Sequence, residues 1–184
     1  QRVDTDIVPP NPLLPSPPFH AEITDCSPQD VWEFVPSPVR ELTGGSHAAA
    51  WDIVRCGDLD GDSDIDVVAA STASNLIDWW ENHAGAFDQH LLSSQITTPN
   101  SLELADLDHN GTLDVAVTSY EGGSLTLICN AGDATFTQCT ILDQLVHPLR
   151  VTCVDWLDDS DIDLVVSLGD HARIMLLERL SGGD

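Results

Sequence analysis

Residues 58–66 read DLDGDSDID, with an aspartate at every second position. At an effective dielectric constant of about 20, two unit charges about 5 Å apart repel each other by roughly 3 kcal/mol. A turn that carries five such charges cannot fold as an ordinary surface turn. The stretch is therefore either unfolded and solvated, or it surrounds a cation.

Two related nonapeptides follow at nearly constant spacing. Residues 106–114 read DLDHNGTLD and residues 155–163 read DWLDDSDID, which places them 48 and then 49 residues further along the chain. A fixed period of this size predicts a repeat architecture. Three copies in phase argue against a solvated acidic turn. We call these nonapeptides loop 1, loop 2 and loop 3.

Strand-like segments surround each loop in the same order. One segment precedes the loop, an apolar run overlaps its end, and a third segment follows a turn of small and polar residues; repeats 1 and 2 add a fourth segment at Phe87 and Phe136. Short strands separated by turn residues are typical of all-β proteins, and runs apolar on both faces are typical of sheets covered on both sides. The pattern predicts an all-β chain of four-stranded antiparallel repeats, stacked as β-propeller-type blades. The predicted strands are WDIVRCG, IDVVAAS, NLIDWWEN, FDQHLL; SLELA, LDVAVTS, SLTLICN, FTQCTIL; and LRVTCV, IDLVVSL, ARIMLLER.

This arrangement resembles the FG-GAP and VCBS repeats of calcium-binding β-propellers, the family that includes the head of integrin α-chains. The stretch CGDLDGDSDIDVVAAS…IDWWEN…GAFDQHLL is similar to the VCBS-type blades of secreted microbial proteins. The resemblance covers roughly residues 39–184. It implies a fold and a metal, and it implies no particular activity.

The alternating aspartates match the ligand requirement of calcium, which takes six to eight oxygen atoms. Oxygen atoms at positions 1, 3, 5, 7 and 9 of a curled loop can surround one ion, with the backbone carbonyl serving at position 7. Loops 1 and 2 are complete by this criterion, whereas Leu157 at position 3 of loop 3 predicts weaker binding or a water in place of the missing ligand. The predicted ligands are Asp58, Asp60, Asp62, Asp64 (carbonyl) and Asp66; Asp106, Asp108, Asn110, Thr112 (carbonyl) and Asp114; and Asp155, Asp159, Asp161 (carbonyl) and Asp163.

We therefore expect two Ca²⁺ sites and a weaker third. Magnesium fits less well, because it keeps several waters and rarely uses a loop so rich in carboxylates. The metal would neutralise each loop and fix the turn between the first two strands of its repeat. Asn110-Gly-Thr112 also matches the N-glycosylation pattern, but a glycan there would remove a calcium ligand, so we interpret that match as coincidental.

The five cysteines form no CxxC motif and no Cys/His cluster, so a zinc site is not expected. In an exported protein one or two disulfides are the usual outcome. Cys129 and Cys139 flank a predicted hairpin and are the best local pair, and Cys26 could pair with Cys56 or Cys153. The alternative is that all five are small buried hydrophobic residues.

The charge balance bears on partners and location. The chain carries 31 acidic residues against six basic ones, for a net charge of −25. Such a surface repels phosphate backbones and anionic lipid, so we expect no nucleic-acid partner. No apolar run approaches the ~20 residues of a membrane span, so we expect no membrane insertion. An acidic surface suits a calcium-rich exterior, and a chain that opens on Gln1 fits a mature product, although a cloning boundary would look the same. We expect a secreted or cell-surface location.

The two ends of the chain predict an incomplete architecture. Residues 1–38 form a proline-rich arm or linker, and residues 39–184 hold the three repeats. Val39-Arg-Glu-Leu42 lies 19 residues before loop 1, which is the phase of a fourth strand, whereas the third repeat stops before its own fourth strand. Three blades are too few for a ring. We therefore expect a partial propeller completed by another chain or by strand exchange, giving a homo-oligomer or filament through strand completion of the last blade. Two alternatives are that residues 1–38 supply further strands and that the sequence is part of a longer propeller.

The sequence contains no GxSxG, HExxH or phosphate-binding glycine loop, so we expect no enzyme activity. The expected function is a calcium-binding module in self-assembly, adhesion or extracellular recognition, with a glycan or a protein as ligand. One alternative is a lectin-like module in which Trp79 or Trp80 stacks on a sugar, although the equivalent residues Leu127-Ile128 and Leu176-Leu177 suggest ordinary core. Another is a fragment of a carbohydrate-active enzyme.

Overall fold

The structure is a computed structural model that describes residues 42, 46–47, 49–133, 135–169 and 173–179. The chain divides into two compact units, Gln1–Thr43 and Gly44–Asp184. Every strand given below lies in the second unit. The predicted proline-rich arm and residues 39–41 of the predicted unpaired strand lie outside the described residues.

The described residues form three antiparallel sheets that follow one another along the chain. We call them blade 1 (β1–β4), blade 2 (β5–β8) and blade 3 (β9–β11). Within each blade the strands pair in chain order. The strands are β1 Ile53–Gly57, β2 Asp66–Ser71, β3 Leu76–His83, β4 Ala86–Ser93, β5 Pro99–Ala105, β6 Asp114–Ser119, β7 Ser124–Asn130, β8 Phe136–Leu142, β9 Pro148–Val154, β10 Asp163–Leu168 and β11 Arg173–Leu177.

The predicted all-β class and the predicted order of strands are confirmed. Each strand falls within, or overlaps closely, a segment that the sequence pattern indicates, and blades 1 and 2 have the expected four strands. Blade 3 has three strands among the described residues, as expected for a partial set of propeller-type blades. No helix that could cross a membrane occurs in the described part of the chain.

The blades pack face to face through two apolar clusters. The first joins blade 1 to blade 2 and includes Ile77 and Leu102, both fully buried. The second joins blade 2 to blade 3 and includes Leu125 and Val151. The middle strand β6 is buried along its whole length, because blade 2 has a neighbour on each face. Each such aliphatic side chain contributes roughly 1.5–3 kcal/mol when it leaves water.

The expected disulfides are not formed among the described cysteines. Cys56, Cys129, Cys139 and Cys153 are all free thiols, and Cys26 lies outside the described residues. Cys129 lies opposite Thr137 on β8, whereas Cys139 lies opposite Leu127, so the two cysteines occupy diagonal rather than facing positions. Diagonal neighbours are about 7–8 Å apart, which exceeds the usual separation across a disulfide.

Candidate metal centre

Each acidic loop joins the first two strands of its blade, as the sequence predicts. The backbone follows the same path in all three loops, because positions 4 and 6 of each adopt a left-handed conformation. Glycine fills one of these positions in loop 1 and in loop 2, and neither in loop 3. The residues and their φ angles are Gly61 (80°) and Ser63 (77°), His109 (63°) and Gly111 (89°), and Asp158 (60°) and Ser160 (72°).

The aspartate at position 9 anchors each loop to its sheet. Asp66, Asp114 and Asp163 are buried, being 0, 0 and 3 % exposed. Each accepts one hydrogen bond from the backbone N–H of position 2 and another from the backbone N–H sixteen residues further on, at the end of the third strand or just after it. The donors are Leu59 (2.9 Å) and Asn82 (2.8 Å), Leu107 (2.8 Å) and Asn130 (2.8 Å), and Trp156 (3.3 Å) and Arg179 (2.9 Å).

Positions 1 and 5 close the loop from inside. The aspartate at position 1 accepts a hydrogen bond from the backbone N–H of position 6 in all three loops, and the side chain at position 5 accepts one from position 7. The bonds to position 1 are Ser63 to Asp58 (2.9 Å), Gly111 to Asp106 (3.0 Å) and Ser160 to Asp155 (3.1 Å). Those to position 5 are Asp64 to Asp62 (2.8 Å), Thr112 to Asn110 (2.8 Å) and Asp161 to Asp159 (3.0 Å).

Two loops bring three carboxylates together. In loop 1 one oxygen from each of Asp58, Asp60 and Asp66 lies within 4.8 Å of the others, and Asp106, Asp108 and Asp114 do the same in loop 2. These are positions 1, 3 and 9. The predicted ligands at position 5, Asp62 and Asn110, are not part of these groups. In loop 3, where Leu157 replaces the position-3 carboxylate, the described residues form no such group.

Burial and neighbouring negative charges both raise the pKa values of the position-9 aspartates in loops 1 and 2. Burial is the main cause of the raised pKa of Asp66, and the charge of Asp60 adds to it. Burial likewise raises the pKa of Asp114, together with the charges of Asp108 and Asp106. The hydrogen bonds that these two carboxylates accept from the backbone only partly offset the effect. The loops therefore favour a cation, and an all-oxygen donor set of this charge fits calcium.

In loops 1 and 2 the side chains at position 7 bond to the end of the third strand or the turn that follows it, and they are not part of the carboxylate groups. Asp64 accepts a 2.7 Å hydrogen bond from the backbone N–H of Ala84, in the β3–β4 turn. Thr112 Oγ1 donates a 2.9 Å hydrogen bond to the carbonyl of Asn130. These contacts are compatible with the backbone carbonyl, rather than the side chain, acting as a metal ligand at position 7, which stays a prediction. Asp161 lies beside Arg179 and His109.

The sequence reasoning missed the residue sixteen positions after the anchor aspartate. In blade 2 this residue, Asn130, also donates through Nδ2 to the carbonyl of Leu59 in loop 1, at 2.6 Å. In blade 3 the equivalent residue, Arg179, donates through Nη2 to the carbonyl of Asp108 in loop 2, at 3.3 Å. The recurrence of Asn82 and Asn130 at one spacing was the available signal.

A second missed feature is a buried carboxylate on β3. Asp78 is fully buried, and its Oδ2 lies 3.0 Å from Nδ1 of His47 and accepts a hydrogen bond from Gln89. Its Oδ1 has no hydrogen-bond partner in the structure. Burial raises the pKa of Asp78, and the contacts with His47 and Gln89 oppose that rise. Only the polar residue within the apolar segment LIDWW could have indicated it.

The two adjacent tryptophans are core residues. Trp79 is 2 % exposed and packs edge-on against Phe136 of blade 2, with ring centroids 5.7 Å apart. Trp80 is 6 % exposed and packs against Trp51 at 4.8 Å. A sugar-stacking platform needs an open aromatic face, so the lectin-like alternative loses the residues on which it rested.

The comparisons with known proteins agree with this geometry. A family model described as FG-GAP-like repeat matches residues 58–117, which run from loop 1 through β5 and loop 2 into β6. No match to the chain is found among curated proteins. The matched segment covers about a third of the chain and contains both carboxylate groups. Residues 58–117 are thus similar to an FG-GAP-like repeat, and the match supports the resemblance of the chain to the FG-GAP and VCBS repeat family.

Proposed function

We propose that the chain is a non-catalytic, calcium-stabilised propeller-type module that acts outside the cell by assembly or recognition. The observation that carries the proposal is the pair of equivalent carboxylate groups in loops 1 and 2. Both lie at the same turn of successive blades, and both hold their aspartates in place with backbone hydrogen bonds. The family match over the same residues supports the calcium assignment and an extracellular setting.

The chain's own residues would hold the metal as follows. Asp58, Asp60 and Asp66 supply the carboxylates in loop 1, and the equivalent aspartates supply them in loop 2. A bound calcium ion supplies the positive charge that these groups lack. The position-9 aspartates link the loops to the last residues of β3 and β7, so a neutralised loop stabilises three strands of its blade. The proposed role of the metal is therefore structural.

Assembly is supported by the exposure of blade 3. Ile77 on β3 and Leu125 on β7 occupy equivalent register positions, and both are fully buried against the next blade. The equivalent residue of blade 3 is Ile174, which is 69 % exposed. Leu176, equivalent to the buried Trp79, is 52 % exposed. Blades 1 and 2 each bury this face against the next blade. In blade 3 the same face is exposed to solvent.

Blade 1 shows a complementary exposure on its opposite face. Leu102 and Val151 lie at equivalent inner-strand positions and are 0 and 2 % exposed, because the preceding blade covers them. Val54 is the equivalent residue of blade 1, and it is 49 % exposed. On the same face of blade 1, Trp51 and His47 cover the part that β3 forms. We propose that a second copy of the chain places its blade 1 against blade 3 and supplies a strand beside β11. Such a contact is head-to-tail, so it gives a ring or a filament.

Size-exclusion chromatography with light scattering, with and without a chelator, tests the proposal. The expected result is an oligomer in calcium whose size or elution changes when calcium is removed. A stable monomer that is indifferent to chelator would contradict it. A polysaccharide-degradation screen separates this function from the enzyme alternative, because turnover of any substrate would refute a non-catalytic module.

A further inference from the structure

Loop 3 keeps the shape of a metal loop without the full set of ligands. Its positions 4 and 6 adopt the same left-handed conformations as those of loops 1 and 2. Asp155, Asp159 and Asp163 accept the equivalent backbone hydrogen bonds. Leu157, however, occupies position 3, and its hydrocarbon side chain, which is 46 % exposed, contains no oxygen that could bind a metal. Some other contribution must hold this acidic loop in the same conformation.

A guanidinium group lies beside loop 3, next to the side chain at position 7. Arg179 occupies the position sixteen residues after the anchor aspartate, where blades 1 and 2 have the neutral residues Asn82 and Asn130. Its backbone N–H still donates to Asp163, so the role of the main chain is unchanged. Its Nη1 is buried, makes no hydrogen bond, and lies at an ion-pair distance of 3.7 Å from Oδ1 of Asp161, at position 7. Asp161 is only 9 % exposed.

Arg179 also contacts the preceding loop. Its Nη2 donates a 3.3 Å hydrogen bond to the backbone carbonyl of Asp108, position 3 of loop 2. Asn130 makes the corresponding contact from blade 2 to Leu59 in loop 1. The substitution of arginine at this position therefore keeps the contact between consecutive loops and adds a permanent positive charge next to loop 3. Loop 3 needs such a charge, because it contains five aspartates.

We propose that Arg179 supplies to loop 3, from beside its position-7 side chain, the positive charge that calcium supplies to loops 1 and 2 from among their carboxylates. Loop 3 is then held by an internal ion pair between Arg179 and Asp161 rather than by a metal, and the chain binds two calcium ions instead of three. This inference rests on the proposed function, since it presupposes calcium in loops 1 and 2. It goes further by making the third blade independent of metal in its own loop and by assigning a positioning residue to it.

The proposal predicts how loop 3 can be converted into a calcium site. Leu157→Asp restores the position-3 carboxylate, and Arg179→Asn restores the residue type found in blades 1 and 2. Native mass spectrometry of the full chain in saturating calcium is expected to show two bound ions for the wild type, for Leu157→Asp and for Arg179→Asn. The double variant is expected to bind three. Arg179→Asn alone is expected to lower the thermal midpoint in calcium and in chelator alike, because the loss does not depend on metal.

Arg150→Asn is the matched control, since Arg150 is an exposed arginine on β9 of the same blade. It is expected to leave the calcium count unchanged. Because Arg150 pairs with Ser167 on the same exposed face of blade 3 as Ile174, the control for the thermal midpoint is Asp88→Asn on β4, which should leave the midpoint unchanged. Three ions on the wild type or on Leu157→Asp, or two ions on a folded double variant, would overturn the inference. If the double variant does not fold, the counts for the wild type and Leu157→Asp decide the question. A wild type that binds no calcium would instead overturn the proposed function.

Discussion

Asn130 Nδ2 donates a 2.6 Å hydrogen bond to the backbone carbonyl of Leu59, across the contact between blades 2 and 1. Asn130 is 1 % exposed, and its Oδ1 accepts a hydrogen bond from the backbone N–H of Gly132. Its own backbone N–H donates to the anchor aspartate Asp114. Asn130, at the end of β7, is therefore hydrogen-bonded to both loop 1 and loop 2, so it connects the two proposed metal loops directly.

Replacement of this residue tests that connection. Asn130→Ala leaves the buried carbonyl of Leu59 without its donor, and an unsatisfied buried group of this kind costs about 1–3 kcal/mol. We expect the free energy of unfolding to fall by that amount in chemical denaturation. The matched control is Asn82→Ala, because Asn82 occupies the equivalent position in blade 1 and its side chain bonds to Ile65 and Gly85 within that blade. Equal losses for the two variants would argue against a special role for the contact between blades.

Single carboxylate changes test the metal assignment at each loop. Asp60→Asn and Asp108→Asn each remove one charge from one carboxylate group while keeping an oxygen in place. We expect each variant to lose high-affinity calcium binding at one site, as measured by titration calorimetry. Without calcium, both variants should be as stable as the wild type or more stable, because the like-charge repulsion falls.

Asp88→Asn is the control for these changes, because Asp88 lies on β4 outside the loops and its side chain is 74 % exposed. It should leave calcium binding unchanged. If the control weakens binding as much as Asp60→Asn does, the effect comes from the overall charge of the protein and not from the loop.

Much of this arrangement follows from local sequence. The strands could be predicted because each is a short apolar segment bounded by turn residues, and the loops because their aspartates alternate. Leu157 alone sets loop 3 apart in the sequence, and the described residues of that loop form no group of three close carboxylates. The burial of Trp79 could be anticipated because Leu127 and Leu176 occupy the equivalent positions. Each of these predictions needs only the local sequence of one segment and its comparison with the equivalent segments of the other repeats.

The features that were missed depend on contacts between segments distant in sequence. Asn130 and Arg179 act on the loop of the preceding blade, 71 residues away in each case. Asp78 meets His47, which lies 31 residues earlier, before β1. The prediction of a disulfide between Cys129 and Cys139 is wrong, because the register of β7 and β8 places the two cysteines diagonally. That register cannot be read from the spacing of the cysteines alone.

The buried carboxylate on β3 predicts a specific dependence of stability on pH. Burial raises the pKa of Asp78 above that of the unfolded chain, so its contribution to stability is fully present below the ordinary aspartate pKa of about 3.9. That contribution is lost as the pH rises through the raised value. Asp78→Asn stays neutral and lacks this dependence. We therefore expect the free energy of unfolding of Asp78→Asn, relative to that of the wild type, to increase as the pH rises from about 3 through the raised pKa of Asp78.

Urea denaturation at a series of pH values measures this difference. Asp88→Asn, which removes an exposed carboxylate on β4 that lies 3.7 Å from His83, serves again as the control for the loss of one carboxylate. A difference between Asp78→Asn and the wild type that is flat, or that falls with rising pH, would contradict the account of Asp78.

Mixing two assembly-defective variants tests the head-to-tail contact. Ile174→Asp places a charge on the exposed face of blade 3, and Val54→Asp places one on the opposite face of blade 1. Each variant alone should remain monomeric in sedimentation velocity. An equimolar mixture should form a dimer and nothing larger, because one intact contact remains between the two chains.

Val146→Asp is the control, since Val146 is 44 % exposed in the connection between β8 and β9, away from both faces. It should assemble like the wild type. A wild type that stays monomeric, or a mixture that does, would rule out the proposed contact.

Calcium titration of the full chain, followed by thermal unfolding of the same samples, tests the central claim most directly. The account predicts two ions bound per chain and a thermal midpoint that rises with calcium. Each site should add about 2.7 kcal/mol of stability when free calcium is one hundred times its dissociation constant. The absence of binding at millimolar calcium, together with a thermal midpoint that chelator does not lower, would contradict it.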